Sequence, residues 1–263
     1  MSAIDGYTKL LAKANQIVKT VSEAEFLQKK EALLPYAYPC DNYVTNILYN
    51  KKVADWLKKL VDNYYKEQNI TSQTLGYRVN KTDYPNFTAI FEECVDILKV
   101  SSKPQLMISN RLRGINALTL NIENTSYILI SPQTTVSLTP EETKFLLGHE
   151  IGHILQGNLV CHAASGILRT IKNKYEVLGD ALANVVEVPL KEWCRTNEYT
   201  ADRAGYLCCK NIDSVYSLFS RMGNDSTRTI YSNYMEIYRD HPYIKDRIDR
   251  INEFKDSIKY KIN

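Results

Sequence analysis

No stretch of the chain approaches the ~18 consecutive apolar residues that a membrane-spanning helix requires, so no transmembrane segment is expected. The amino terminus, Met1 to Lys13, lacks the basic region, apolar core and small-residue cleavage site of a secretory signal. Cysteine is sparse and unpatterned: Cys40, Cys94, Cys161, Cys194, Cys208 and Cys209 show no C-x-x-C spacing. That argues against a disulfide framework and against a cysteine-built metal site. The cysteines read instead as small buried hydrophobes in a reducing compartment, and a soluble, cytoplasmic protein is the expectation. An excess of one charge is missing too. The 33 Lys and Arg residues nearly balance 30 Asp and Glu, for a net charge of +3, and the two signs are interspersed. Nothing electrostatic recommends nucleic acid as a partner. There is no internal repeat and no low-complexity tract.

What is present suffices for one large domain, or a catalytic domain with a helical attachment: 263 residues, 44% of them hydrophobic. Leu10, Leu11, Ala14, Ile17 and Val18 recur at helical spacing, as do Val53, Trp56, Leu57, Leu60, Val61 and Tyr64. Pro35 and Pro39 interrupt the pattern between them. A further helix is predicted from about Asn86 to Val100. Two strand-like runs follow, Ala117 to Ile122 and Tyr127 to Ser131, with a turn at Glu123-Asn124-Thr125 and another candidate strand at Pro104 to Ser109. From Thr139 onward the pattern is again helical, broken near Gly157, Asn211 and Pro242. The expected fold class is α+β and predominantly helical, with a small sheet packed on a central helix. Residues 1–75 form a helical region of unassigned role, and residues 76–263 carry the chemistry.

The strongest signal is Leu138-Thr-Pro-Glu-Glu-Thr-Lys-Phe-Leu-Leu-Gly-His-Glu-Ile-Gly-His. Thr139 suits an N-cap, Pro140 the first helical position, and Glu142 completes a T-x-x-E capping box. A helix started there places His149 and His153 one turn apart on one face, where two imidazoles can share a zinc ion. Glu150 then lies beside the metal, positioned to deprotonate a water held there. The plain alternative is a pair of ordinary histidines beside a salt-bridging glutamate. Phe145, Leu146, Leu147, Ile151, Ile154 and Leu155 weigh against it, because a helix this apolar is buried, and an unpaired glutamate there would be costly.

A third ligand must come from elsewhere. The pattern with glycine and a third histidine soon after the second fails, because those positions hold Gln156 and Leu159, and His162 comes three residues too late. A carboxylate from a later helix fits better. In Thr196-Asn-Glu-Tyr-Thr-Ala-Asp-Arg-Ala-Gly-Tyr, Glu198 and Asp202 stand at i and i+4, and Ala201, Ala204 and Gly205 allow close approach to another backbone. Glu198 would ligate the metal, and Asp202 would accept a hydrogen bond from the free ring nitrogen of a bound histidine. One zinc ion per chain is expected.

In these residues the chain resembles the HtpX-type and CAAX-prenyl-protease metallopeptidases, family forty-eight of the metallopeptidases, of gluzincin type. The matching pieces are Asn116-Ala117, Leu138-Thr139 with Glu141-Glu142, and His149 to His153, followed by Glu198 to Ala204 and Asp240-His241-Pro242 with Arg247-Ile248. They span about Asn86 to Asn252. The resemblance implies a zincin-like catalytic domain in which His149, His153 and Glu198 bind zinc and Glu150 is the general base. It also implies supporting roles for Asp202, His241 and Arg247. His241 is the candidate for a second oxyanion donor or an occluding fourth ligand, with a plain turn histidine before Pro242 as the alternative; Arg247 is the candidate partner of Asp202. The strand near Asn116 to Leu120, with Asn116 and Ala117 at its start, would bind a peptide by adding it to an exposed sheet edge, with an ordinary open sheet edge as the plain alternative. Many family members are embedded in membranes, whereas this chain has no spanning run and resembles the soluble branch.

The function expected is therefore a zinc-dependent endopeptidase acting on a peptide or protein substrate, through a water activated by zinc and Glu150. Its rival is a latent or regulatory zinc-binding protein whose cleft is blocked. A third reading, a helical interaction module without metal, makes the Glu198 and Asp202 spacing a coincidence.

Overall fold

Chain order sets a helical lead-in, a small sheet and then helices packed around one central helix. The computed structural model describes residues 34–39, 51–156, 188–223, 242 and 244–259. The predicted helix around Leu10 to Val18, the break at Gly157, and Cys40, Cys161, His162 and His241 lie outside the described residues. The helices are α1 (Lys51–Glu67), α2 (Pro85–Ile97), α3 (Pro132–Ser137), α4 (Pro140–Leu155), α5 (Val188–Cys209), α6 (Ile212–Gly223) and α7 (Ile244–Lys259). The strands are β1 (Tyr77–Arg78), β2 (Gln105–Ile108), β3 (Ala117–Ile122) and β4 (Thr125–Ile130). The chain is thus α+β and mostly helical, as its patterning predicts. No described helix is long and apolar enough to cross a membrane.

The strand order is β1-β2-β4-β3, with β2 parallel to β4 and the other two pairings antiparallel. Among the described residues β3 is therefore an edge strand. The β3–β4 hairpin turns on Glu123 and Asn124, both at positive φ (50° and 64°). Two consecutive left-handed residues make the type I′ turn whose twist matches the flanking strands. Thr125, which the sequence reading puts in the turn, is instead the first residue of β4, paired with Ile122.

One face of the sheet packs on α4 and α2. Leu106, Ile108, Ile128 and Ile130 of the strands meet Phe87, Phe91 and Cys94 of α2, Leu147 and Ile151 of α4, and Cys208 of α5. A second cluster lies along another side of α4: Phe145 and Leu146 meet Tyr206 of α5, Val215, Leu218 and Phe219 of α6, and Ile251 and Phe254 of α7. Flanked by two cores, α4 is buried over Thr143 and continuously from Phe145 to His153. A helix enclosed on all sides needs apolar residues around its whole circumference, which is why its sequence shows no polar stripe.

The crossing of α4 and α5 is unusually close. A Cβ on Gly152 would lie 2.8 Å from the Ala201 Cα, and one on Gly205 would lie 2.6 Å from the Phe145 carbonyl oxygen. Gly148 faces the Gly205 Cα at 3.0 Å in the same way. Small residues on both helices thus bring the two backbones together where the histidines of one and the carboxylates of the other sit.

Candidate metal centre

The helix that carries the histidines starts as its sequence prescribes. The Thr139 hydroxyl accepts the Glu142 N–H at 3.2 Å, and the Glu142 carboxylate accepts the Thr139 N–H at 2.9 Å. This reciprocal box fixes the first turn and hence the helical phase of everything after it. His149 and His153, one turn apart, bring their Nε2 atoms to 3.1 Å from each other.

Glu198 of α5 completes the set. Its Oε1 lies 3.2 Å from His153 Nε2 and its Oε2 lies 3.6 Å from His149 Nε2, and all three side chains are buried. Ligands bonded to one tetrahedral zinc ion at about 2.0–2.1 Å stand roughly 3.3–3.4 Å apart. The observed spacings of 3.1, 3.2 and 3.6 Å bracket that value. Among the described residues, His149, His153 and Glu198 form a set that could hold a metal ion.

Charge points the same way. Glu150, Glu198 and Asp202 are all buried here, and Arg247 is the cation placed among them. Buried carboxylates gathered in this way favour cationic partners. The histidine and carboxylate donor set suits zinc.

Asp202 and Arg247 hold the assembly in place. Asp202 Oδ1 lies 2.9 Å from His149 Nδ1. With the Nδ1 proton donated to that carboxylate, the Nε2 lone pair is left facing Glu198 and His153. Arg247 clamps Asp202 with two bonds, Nε to Oδ2 at 2.8 Å and Nη2 to Oδ1 at 2.6 Å. Burial alone would raise the Asp202 carboxyl, but the Arg247 charge and bonds and the His149 contact outweigh it and hold it below the usual carboxylate range. For His149, burial works toward a lower value. The Asp202 hydrogen bond and the charges of Glu198 and Asp202 overcome that and raise it above the ordinary imidazole. Arg247, also buried, is stacked over the Phe219 ring at 4.4 Å.

Glu150 is buried beside His149, and its carboxylate accepts the hydroxyl of Thr119 on β3. The same hydroxyl lies 3.3 Å from the Glu150 carbonyl oxygen. Sequence reading missed Thr119. The available signal is a hydroxyl between Leu118 and Leu120 in a strand-like run. Asn116 immediately precedes β3, its carbonyl accepting the Ser131 N–H at 3.0 Å and its N–H donating to Thr134 Oγ1 at 2.9 Å; Ala117, half-buried, begins the strand. The structure thus brings together His149, Glu150, His153, Glu198, Asp202 and Arg247. His241 is not among the described residues.

One region beyond the predicted set touches the glutamate helix. Tyr38 N–H donates to Thr200 Oγ1 at 2.9 Å, and Arg203 donates to the carbonyls of Tyr36 and Ala37 at 3.2 and 2.9 Å. The segment before α1 is thereby tied to the turn after Glu198.

Comparison with known proteins agrees with this geometry. The chain is 26% identical over 145 residues to a curated Arabidopsis thaliana protein, "Plastoglobule-localized metallopeptidase 48, chloroplastic". The match covers 55% of this chain and 42% of that relative, so the chain spans less than half of the relative's length. No solved structure matches the chain. The model of Peptidase family M48 matches residues 82–255, more than half of the chain and inclusive of β2 to β4, α4 and α5. On that match, with a histidine–histidine–glutamate set at the crossing of α4 and α5, the chain belongs to Peptidase family M48.

Proposed function

We propose that this chain is a zinc-dependent endopeptidase of the gluzincin type, with His149, His153 and Glu198 holding one zinc ion and Glu150 serving as general base. The observation that carries the reading is the 3.1–3.6 Å spacing of those three donors, with a buried carboxylate at Glu150 beside them. Zinc would supply Lewis acidity, polarising the scissile carbonyl and making water acidic enough to ionise near neutral pH. Glu150 accepts the proton from the attacking water and passes it to the departing amine. Asp202, itself clamped by Arg247, keeps His149 in the tautomer that presents Nε2. The edge of β3 from Asn116 and Ala117 onward receives the substrate as an added strand, so main-chain bonds align the peptide across the centre. His241 is assigned as a second oxyanion donor or an occluding ligand.

Residues 76–263 form the metallopeptidase domain in this proposal, supported by the family match over 82–255, and residues 1–75 form a helical attachment. The substrate is a peptide or protein. A cytoplasmic setting belongs to the same reading; the buried thiols of Cys94, Cys208 and Cys209 suit a reducing compartment.

The test pairs zinc content by mass spectrometry, on wild type and Glu198→Ala, with cleavage of casein-type peptides by wild type and Glu150→Ala. One zinc per wild-type chain, lost in Glu198→Ala, with cleavage abolished in Glu150→Ala, is the expected result. Zinc without cleavage would favour a latent or regulatory protein, and a chain that binds no zinc would overturn the proposal.

A further inference from the structure

The hairpin register fixes which way each residue of β3 points. Asn116 accepts the Ser131 N–H one step beyond the Ala117–Ile130 pair, and the two-residue turn closes the other end on the Ile122–Thr125 pair. Hydrogen-bonded rungs alternate along an antiparallel ladder, so from either end they fall on 116, 118, 120 and 122. Ala117, Thr119 and Asn121 therefore turn their N–H and C=O groups away from β4, toward the edge that has no paired strand among the described residues. The side chains of these same residues lie on the α4 face. Thr119 stands opposite Ile128, which packs with Leu147 and Ile151 of α4.

At Thr119 these two directions meet the chemistry. Its main chain faces the open edge while its hydroxyl donates to the Glu150 carboxylate. The other acceptor in reach, the Glu150 carbonyl at 3.3 Å, sits inside α4, where carbonyls are taken up by the helical ladder. Thr119 is only 5% exposed. Valine would fill the same space without a hydroxyl to desolvate, so the polar group is retained against its burial cost by this acceptor. A β-branched side chain on a strand has little χ1 freedom, which makes it a stiff tether for a glutamate that otherwise has several rotamers. One carboxylate oxygen is held by that hydroxyl.

We propose that Thr119 is a positioning residue of the peptidase: its hydroxyl fixes the Glu150 carboxylate while its outward main chain pairs with the substrate strand, so one rigid element registers base and scissile bond. The assignment rests on the peptidase reading above. It makes Thr119 act on the chemical step, with the metal and the affinity for peptide untouched.

The experiment uses full-length wild type, Thr119→Val, Thr119→Ser, Glu150→Gln and the Thr119→Val/Glu150→Gln double variant. Zinc content is measured on all of them. Binding of a fluorescent casein-derived peptide is measured on the two Glu150→Gln chains, and kcat and KM on the others. Thr119→Val is expected to keep its zinc and leave peptide binding unchanged, while kcat falls on the order of 10- to 100-fold at a similar KM. Thr119→Ser, which restores the donor, should recover most of that loss. A Thr119→Val chain as fast as wild type, a Thr119→Ser chain as slow as Thr119→Val, or loss of zinc in Thr119→Val would each overturn the assignment. An active wild type with an inactive Glu150→Gln and an unaffected Thr119→Val would sink the role of Thr119 alone. A wild type that cleaves nothing would take the peptidase reading down with it.

Discussion

At the amino end of α4, Glu142 binds Arg221 of α6; farther along the same helix, Asp202 of α5 binds Arg247 of α7 and holds His149. Both are carboxylate–arginine pairs that join α4 or its close partner to a later helix, yet they differ in exposure. The Arg221 side chain is 36% exposed and that of Arg247 only 10%. Glu142 spreads its bonds over the Thr139 N–H, Ser217 at 2.7 Å and Arg221 at 2.8 Å. Asp202 directs its bonds at Arg247 and at a candidate metal ligand. The first pair fastens a helix start; the second orients an imidazole. Water can replace a lost partner at the first and cannot readily do so at the second.

Removing Arg247 should have the largest effect. Arg247→Met leaves Asp202 buried without its cation, a change that costs about 3–5 kcal/mol when one partner of a buried pair is removed. Zinc affinity should fall about 10- to 100-fold through the misplaced His149. Urea unfolding and competition with a zinc chelator measure the two effects, and a cost below about 1 kcal/mol would erase the distinction between the pairs.

Moving the helix instead of its partners is the next test. Gly152→Ala places a methyl 2.8 Å from the Ala201 Cα, so α4 and α5 must separate. Overpacking of this kind costs about 1–3 kcal/mol. Zinc retention should drop as well, although no ligand is altered, and retention equal to wild type would show that the centre tolerates the shift.

Arg221→Met sharpens the contrast from the other end. A loss of about 1–2 kcal/mol is expected in urea unfolding, with zinc binding as in wild type. Zinc loss here would mean that the helix start and the metal set are one cooperative unit.

The smallest effect is in pH. Burial alone would raise the Glu142 carboxyl, but the Thr139 N–H, Ser217 and Arg221 outweigh it and hold it below the usual range. A depressed carboxylate contributes stability that is fully present above its unfolded value, about 4.3, and is lost as pH falls through the folded value. The stability advantage of wild type over Glu142→Gln should therefore be constant between pH 7 and 5 and shrink below about pH 4. A gap that does not narrow there would mean that the charge of Glu142 contributes little.

Local chemistry was legible in the sequence. Thr139, Pro140 and Glu142 set the phase of α4, and that phase puts His149, Glu150 and His153 at fixed relative angles, because an α-helix repeats every 3.6 residues. Glu198 and Asp202 were readable as a pair for the same reason, and β3 and β4 were readable as a hairpin, although β4 begins at Thr125, inside the expected turn, and ends before Ser131, which caps α3 instead. What lay beyond reach were the contacts between distant parts of the chain that no motif marks. Thr119 is 31 residues from Glu150, and Arg221 is 79 from Glu142. No periodicity links positions so far apart; packing alone decides whether they touch.

By itself, then, the sequence determined the capped helix, its i and i+4 histidines and the second i and i+4 pair of carboxylates. Backbone hydrogen bonding imposes those spacings on any chain that forms the helices. Only the tertiary structure decided that α4 and α5 cross at Gly152 and Ala201, which brings Glu198 within 3.2 Å of His153. It also decided that Arg247 reaches Asp202 and that β3 presents Thr119 to Glu150, because the close packing of glycines and buried side chains around α4 leaves those groups no other place to go.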